Sequence, residues 1–243
     1  MSKKEWFADW FDTSYYHLLY QNRDEKEAER FIQNLMKLLN LPAESKLLDL
    51  ACGKGRHAKF LSEFGHDVLG VDLSPNSISH ANNLANKRLR FQTHDMREIL
   101  ENEQFDVVFN LFTSFGYFDH ESENKRVCNS IAQMLMPGAK VLIDFMNASK
   151  VIRNLVPSEM KLLNGISFKI SRNYDGKHIY KHIDVIDNGH ESHFMERVQA
   201  LKLSDFQILL EDKFDIVKTF GSYDLAPFNE EDSDRLILLA QLK

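Results

Sequence analysis

Apolar residues recur along this chain in two rhythms. From residue 46 to residue 147, short continuous apolar runs alternate with stretches in which apolar residues return every three or four positions. The runs at 47–51, 67–72, 89–93, 105–111 and 140–145 predict strands, and residues 56–64 and 121–136 predict helices. A further helix opens at Ser74-Pro75, with serine at the cap and proline at the first helical position. The long helix turns Val127, Ile131, Met134 and Leu135 inward and is stopped by Pro137-Gly138. Ahead of the first strand, Asp24 and Glu27 stand at the spacing of a capping box. Ala28, Phe31, Leu35, Leu38 and Leu39 follow on one helical face, and Pro42 lies past its end. Continuous apolar strands between amphipathic helices build a parallel sheet covered on both faces. Such sheets bind ligands at the carboxyl ends of their strands.

After Asn147 the period drops to two. Residues 166–174, 177–186 and 191–201 predict three strands, separated by the hairpin dipeptides Asp175-Gly176 and Asn188-Gly189. This is an antiparallel meander inserted into the α/β unit. Residues 204–210 return to helix, and residues 214–220 and 235–242 predict two closing strands. The segment joining those two has no helical pattern, so they pair antiparallel rather than through a crossover. The prediction is a single α/β domain over residues 1–243. It has seven strands, mostly parallel with the last antiparallel, helices on both faces, a helical and aromatic arm at 1–40 and an inserted β subdomain at 150–202.

Composition narrows the function classes. At 43% hydrophobic the 243 residues can bury a sizeable core. A net charge of −6 without a basic block argues against a nucleic-acid partner. Cys52 and Cys128 stand far apart, which implies neither a disulfide framework nor a zinc cluster and fits a reducing compartment. The first ten residues carry no signal-peptide core, and no apolar run is long enough for a bilayer. A cytoplasmic protein with no metal and no membrane partner is expected. The first stretch is rich in rings: Trp6, Phe7, Trp10, Phe11, Tyr15, Tyr16 and Tyr20. They either staple the arm to the domain or, as Tyr15, Tyr16 and Tyr20 could through ring and hydroxyl, roof a ligand.

Candidate chemistry starts at Lys46-Leu-Leu-Asp-Leu-Ala-Cys-Gly-Lys-Gly, a strand, a glycine turn and a helix start, the arrangement that cradles nucleotides. Gly53-x-Gly55-x-x-Ala58 satisfies the loose dinucleotide fingerprint, so the glycines alone leave a nicotinamide-dependent oxidoreductase open. Asp49 bears on the choice. A carboxylate inside a strand is costly unless paired. A ligand ammonium would pair with it, whereas pyrophosphate would be repelled.

Asp49-Leu-Ala-Cys-Gly-Lys-Gly resembles the first motif of the class I S-adenosylmethionine-dependent methyltransferases, and three further features stand where that family has them. Asp72 ends the second strand, where the family's acid accepts both ribose hydroxyls. Asp95 follows the third strand, where the family's acid takes the adenine amino group and the next residue, here Met96, packs on the ring. Asn110-Leu111 ends the fourth strand and would line the methionine end. The closing antiparallel pair also matches the family's Rossmann-like seven-stranded sheet. The resemblance implies S-adenosylmethionine as cofactor, held by Asp49, Ala51, Gly53, Gly55, Arg56, Asp72, Leu73, Asp95, Met96, Asn110 and Leu111, with Tyr16 as a roof. Arg56 would reach the cofactor carboxylate.

Methyl transfer from a sulfonium requires alignment and dryness rather than a nucleophilic side chain. The loop after the fourth strand should face the acceptor; it offers Ser114, with Tyr117 and His120 as candidate catalytic groups. Asn110-Leu-Phe-Thr lacks the Asn/Asp-Pro-Pro-Tyr of enzymes that methylate exocyclic amines of nucleic acids, and no Pro-Cys nucleophile is present. A small-molecule acceptor is therefore expected. His178 and His182 share a strand face but read as ordinary hairpin residues. Glu196 and Arg197 are candidates for pocket polarity in a meander that serves as lid or homodimer surface. A non-catalytic S-adenosylmethionine-binding module is the other alternative.

Overall fold

The computed structural model describes residues 6–21 and 25–243. Asp24, the expected cap of the long N-terminal helix, lies outside them. Short helices α1 (Trp6–Trp10) and α2 (Ser14–Leu19) precede α3 (Glu25–Leu39). The α/β unit then runs β1 (Lys46–Leu50), α4 (Arg56–Glu63), β2 (Asp67–Asp72), α5 (Pro75–Ala81), β3 (Leu89–Thr93), β4 (Phe105–Asn110), α6 (Glu121–Met134) and β5 (Leu135–Met146). After α7 (Ala148–Arg153) come β6 (Ser158–Leu163), β7 (Ile166–Tyr174), β8 (His178–Asp187) and β9 (His190–Gln199). The chain closes with α8 (Leu203–Leu210), β10 (Phe214–Phe220) and β11 (Arg235–Leu242).

The seven-stranded sheet has the order β10-β11-β5-β4-β1-β2-β3. β1 pairs in parallel with β2 and β4, and β11 is antiparallel to both β5 and β10. Because side chains alternate along a strand, the central strands feed two cores. Leu47, Val107 and Phe109 meet Phe31, Ile32 and Leu35 of α3 on one face. Leu48, Leu50 and Val108 meet Val127 and Ile131 of α6 and Phe206 of α8 on the other. Ser74 caps α5 as expected, its hydroxyl accepting from the Ser77 N–H with Pro75 behind it.

Beyond shifts of a residue or two at element ends, the structure departs from the sequence expectation in three ways. α6 ends at Met134, ahead of Pro137, because Leu135 pairs with Phe105 and opens β5. The meander has four strands, not three: β6 precedes β7, in the order β6-β7-β8-β9. Helices α1, α2 and α7 are too short to show a period.

The meander packs on the arm. Phe168, Ile170, Ile183 and Val185 from one sheet face bury Trp10 and Leu19 in a third core. Gln199 at the end of β9 ties the meander to the main domain: its backbone N–H donates to the Gly116 carbonyl at 2.8 Å. Its Nε2 donates to the Phe118 carbonyl, and its Oε1 accepts from Asn124 Nδ2.

Candidate cofactor and acceptor site

β1 leaves the centre of the sheet into a turn in which Ala51, Gly53 and Gly55 all have positive φ, at 65°, 56° and 82°. The Cys52 N–H still donates to the Val71 carbonyl at 2.9 Å, so the turn remains pinned to β2. The two glycines face opposite surroundings. A Cβ on Gly53 would meet nothing within 4 Å, whereas one on Gly55 would lie 2.6 Å from the Phe91 ring. Gly53 therefore presents open backbone, and Gly55 fits the turn to β3. Cys52 is a buried thiol, pushed up by desolvation and the nearby Asp49 and Asp72.

The carboxylates cluster at the strand tips around this turn. Asp72 Oδ2 accepts the Gly53 N–H at 2.8 Å and Oδ1 accepts the Ser74 N–H at 2.9 Å. Burial raises its pKa against those backbone bonds. Asp49 is 1% exposed, and its Oδ2 has no partner among the described residues. Burial pushes its carboxyl up to about 7, against a backbone hydrogen bond from Ala58, and the Asp72 charge adds to the rise. Asn110 is fully buried on the neighbouring strand; Nδ2 donates to the Leu50 carbonyl at 3.0 Å and Oδ1 has no partner among the described residues. The register pairs Asp49 with Phe109, so two donor-less oxygens stand at adjacent strand tips.

Asp95 is placed at the end of β3 but is already engaged. Arg97 holds it through Nε at 3.0 and 3.1 Å and through Nη2 at 2.6 Å. These bonds hold the carboxyl below its usual range although burial opposes them. Met96 and Leu73 pack partly into the core beside it, and Leu111 is buried. Arg56, first residue of α4, lies with Cζ 5.4 Å from the Phe112 ring centroid.

The arm supplies a residue that sequence reasoning missed. Asp12 accepts from Ser74 Oγ and, at 2.6 Å, from Asn76 Nδ2, which fastens the α1–α2 corner to the start of α5 beside Asp72. Of the two readings of the aromatic residues, stapling describes three of them. Trp10 Nε1 donates to Glu196 Oε1 at 2.7 Å, Tyr20 OH donates to Glu196 at 2.8 Å, and Tyr15 OH donates to Asp187 at 3.0 Å. Lys181 Nζ donates to Tyr20 OH at 2.5 Å; burial lowers the lysine's pKa against the nearby Glu196. Tyr16 packs at a tilt between Phe11 and Tyr20, with centroids at 5.0 and 4.9 Å. Glu196→Leu would leave a largely buried lysine without its counter-charge, and it is expected to cost about 3 kcal/mol in urea unfolding.

The loop after β4 separates the remaining candidates. Tyr117 points back, its hydroxyl donating to the Thr113 carbonyl at 2.5 Å, with its ring 5.3 Å from Phe11. Ser114 Oγ is turned to the Leu111 carbonyl. His120 is exposed at the start of α6, where its backbone N–H donates to Glu123 Oε2, so it is a helix-start residue. Arg197 faces opposite to Glu196 and pairs with Asp119. His193 pairs with Asp184, and His182 stacks on Tyr180.

A second unforeseen cluster lies beyond Phe112. Asp144, 1% exposed near the end of β5, binds Arg235 Nε at 2.8 Å, Tyr223 OH at 3.2 Å and the Phe112 N–H at 2.9 Å. An acid inside the apolar run Val141-Leu-Ile-Asp-Phe is the same signal that singled out Asp49. Phe112, Tyr223, Asp234 and Arg235 line a cleft of about 640 Å³ that also reaches Lys26 and Glu27 at the start of α3.

Comparison with known proteins agrees with this architecture. Residues 47–138 match the methyltransferase domain family. The chain is 37% identical over 107 residues to a dTDP-3-amino-3,4,6-trideoxy-alpha-D-glucopyranose N,N-dimethyltransferase of Streptomyces venezuelae, covering 42% of this chain and 43% of the relative. It is 28% identical over 105 residues to a ubiquinone biosynthesis O-methyltransferase of Coxiella burnetii, again over 42% and 43%. The chain spans about half the length of the curated relatives it matches. Its fold matches that of an S-adenosylmethionine-dependent methyltransferase from Clostridium acetobutylicum with a TM-score of 0.79 at 20% identity, covering 94% and 96% of the two chains. The likeness to the methyltransferase domain family is thus carried by residues 47–138, and the likeness in fold extends over most of the chain.

Proposed function

We propose that this protein binds S-adenosylmethionine and transfers its methyl group to a small-molecule acceptor. One observation carries the reading: Asp49 Oδ2 and Asn110 Oδ1 are buried oxygens at adjacent strand tips with no donor among the described residues. Such acceptors are costly unless a donor arrives. They suit the ammonium of an amino-acid-bearing ligand and are ill-suited to pyrophosphate, which disfavours the nicotinamide reading. The open backbone at Gly53 leaves room for that ligand's close approach.

The residues present fit the cofactor. Asp49 and Asn110 would take the ammonium. Asp72, whose oxygens each accept one backbone N–H, keeps lone pairs for two hydroxyls. Asp95 stays ionised beside Arg97 and keeps accepting capacity. When bound, the cofactor supplies an activated methyl on a sulfonium. The chain's part is to orient and to exclude water, with Leu111, Phe112 and the arm's aromatic residues as the apolar walls. One relative is named as an amino-sugar N,N-dimethyltransferase and another as a ubiquinone biosynthesis O-methyltransferase, which supports a small-molecule acceptor. No described helix is long and apolar enough to cross a membrane; a cytoplasmic location is part of the proposal.

Titration calorimetry with S-adenosylhomocysteine and with NAD tests the reading. Binding of the first and not the second is expected, together with transfer of labelled methyl from S-adenosylmethionine into a metabolite extract. Binding of NAD alone refutes the proposal. Cofactor binding without any transfer would leave a non-catalytic binding module.

A further inference from the structure

Phe112 and Thr113 leave β4 with φ of 60° and 59°, two successive non-glycine residues in the left-handed region. A β-branched residue there is strained, and such strain persists only where the surroundings over-determine it. Here they do. The Phe112 N–H donates to Asp144 Oδ2 at 2.9 Å, and the Thr113 N–H donates to the Asp144 carbonyl at 2.8 Å. Arg235 Nε donates to Asp144 Oδ1 at 2.8 Å while its Nη2 donates to Thr113 Oγ1 at 3.0 Å. One planar guanidinium thus spans the strand end and the strained loop.

The same group lies among rings. Arg235 Cζ is 5.9 Å from the Phe112 centroid and 5.5 Å from that of Tyr223, whose hydroxyl also donates to Asp144. Arg56, directly after the glycine turn, approaches Phe112 at 5.4 Å. Phe112 therefore stands between the cofactor turn on one side and the 640 Å³ cleft on the other. Burial works against the Arg235 charge, and Asp144 holds it above its ordinary pKa.

We infer that Arg235 is a positioning residue: acting through Asp144, it fixes Phe112–Thr113 as the wall between the methyl-donor groove and the acceptor cleft. The inference rests on the methyltransferase reading for its functional half and on geometry alone for its structural half. Lysine at 235 keeps the charge but cannot span Asp144 and Thr113 or stack between the two rings. Tyr223→Phe removes one hydrogen bond to Asp144 and leaves the pair in place.

The test uses the full chain. In Arg235→Lys, amide hydrogen exchange at Phe112 and Thr113 should accelerate about tenfold or more while the amides of β1 keep their rates. Labelled methyl transfer into a metabolite extract at saturating S-adenosylmethionine should fall about tenfold, with S-adenosylhomocysteine affinity within about threefold of wild type. Tyr223→Phe should move the same two amides in the same direction by less. Unchanged exchange at residues 112 and 113, or acceleration spread evenly through β1 and β4, overturns the inference. So does a cofactor affinity that falls in step with turnover. If the wild type neither binds the cofactor product nor transfers methyl, the proposed function fails instead, and the exchange result still decides the clamp.

Discussion

Asp49→Asn should raise the melting temperature of the ligand-free protein at pH 8 by roughly 8–16 °C and weaken S-adenosylhomocysteine binding about 10- to 100-fold. The two effects have one cause. Asp49 is fully buried, and burial lifts its carboxyl to about 7. Its folded pKa lies above its unfolded value, so its contribution to stability is fully present below about pH 4 and lost as pH rises towards 7. At pH 8 the buried charge costs on the order of 4 kcal/mol relative to a neutral group of the same shape. Asparagine removes that cost and also removes the anion that would pair with a ligand ammonium. For the wild type, cofactor affinity should therefore climb as pH rises through 7, where Asp49 loses its proton. In Asp49→Asn that climb should be absent. Differential scanning fluorimetry and calorimetry at pH 5.5 and 8 check both halves. A variant that is less stable at pH 8 and binds as tightly as wild type would remove Asp49 from the site.

The second large effect is expected at Gly55. Gly55→Ala should destabilise the protein by about 2–4 kcal/mol, from a left-handed residue gaining a side chain and from overpacking. At φ +82° the new methyl would lie 2.6 and 2.7 Å from two carbons of the Phe91 ring. The ring cannot retreat the other way, because it already lies against Gly70, where a Cβ would be 2.5 Å from it. Phe91→Leu in the Gly55→Ala background should recover part of the loss by removing the clash while the φ strain stays. Additive losses in urea unfolding would show that the ring is not what Gly55 accommodates. Gly53→Ala, with open space around it, should by contrast affect ligand affinity more than packing.

The α/β unit was legible in the chain because its signals are local. β2, β3, β10 and β11 carry the bounds that their apolar runs predict, and Ser74-Pro75 opens α5. Where local signals competed, prediction slipped. Pro137-Gly138 reads as a helix stop, yet the helix ends at Met134 because pairing of Leu135 with Phe105 outweighs helical propensity. The fourth meander strand also had its sign: Asn164-Gly165 adopts the same two positive φ values as the hairpin at Asn188-Gly189. β6 was overlooked because its outward Met160 and Leu162 break the apolar-in, polar-out alternation, both being 74% exposed on an edge strand.

Legible in the chain alone are the alternation of strands and helices, the glycine turn and the identity of the acids at the strand tips, since periodicity, φ preference and charge are properties of single residues and their near neighbours. What each polar group meets was set by the assembled fold. It gave Asp95 to Arg97, Glu196 to the arm and His120 to a helix start, and it left Asp49 Oδ2 and Asn110 Oδ1 without a partner among the described residues. It also brought Arg235 to Asp144 across 91 residues of chain. Such pairings depend on sheet order and register, which strand-length segments do not encode one at a time.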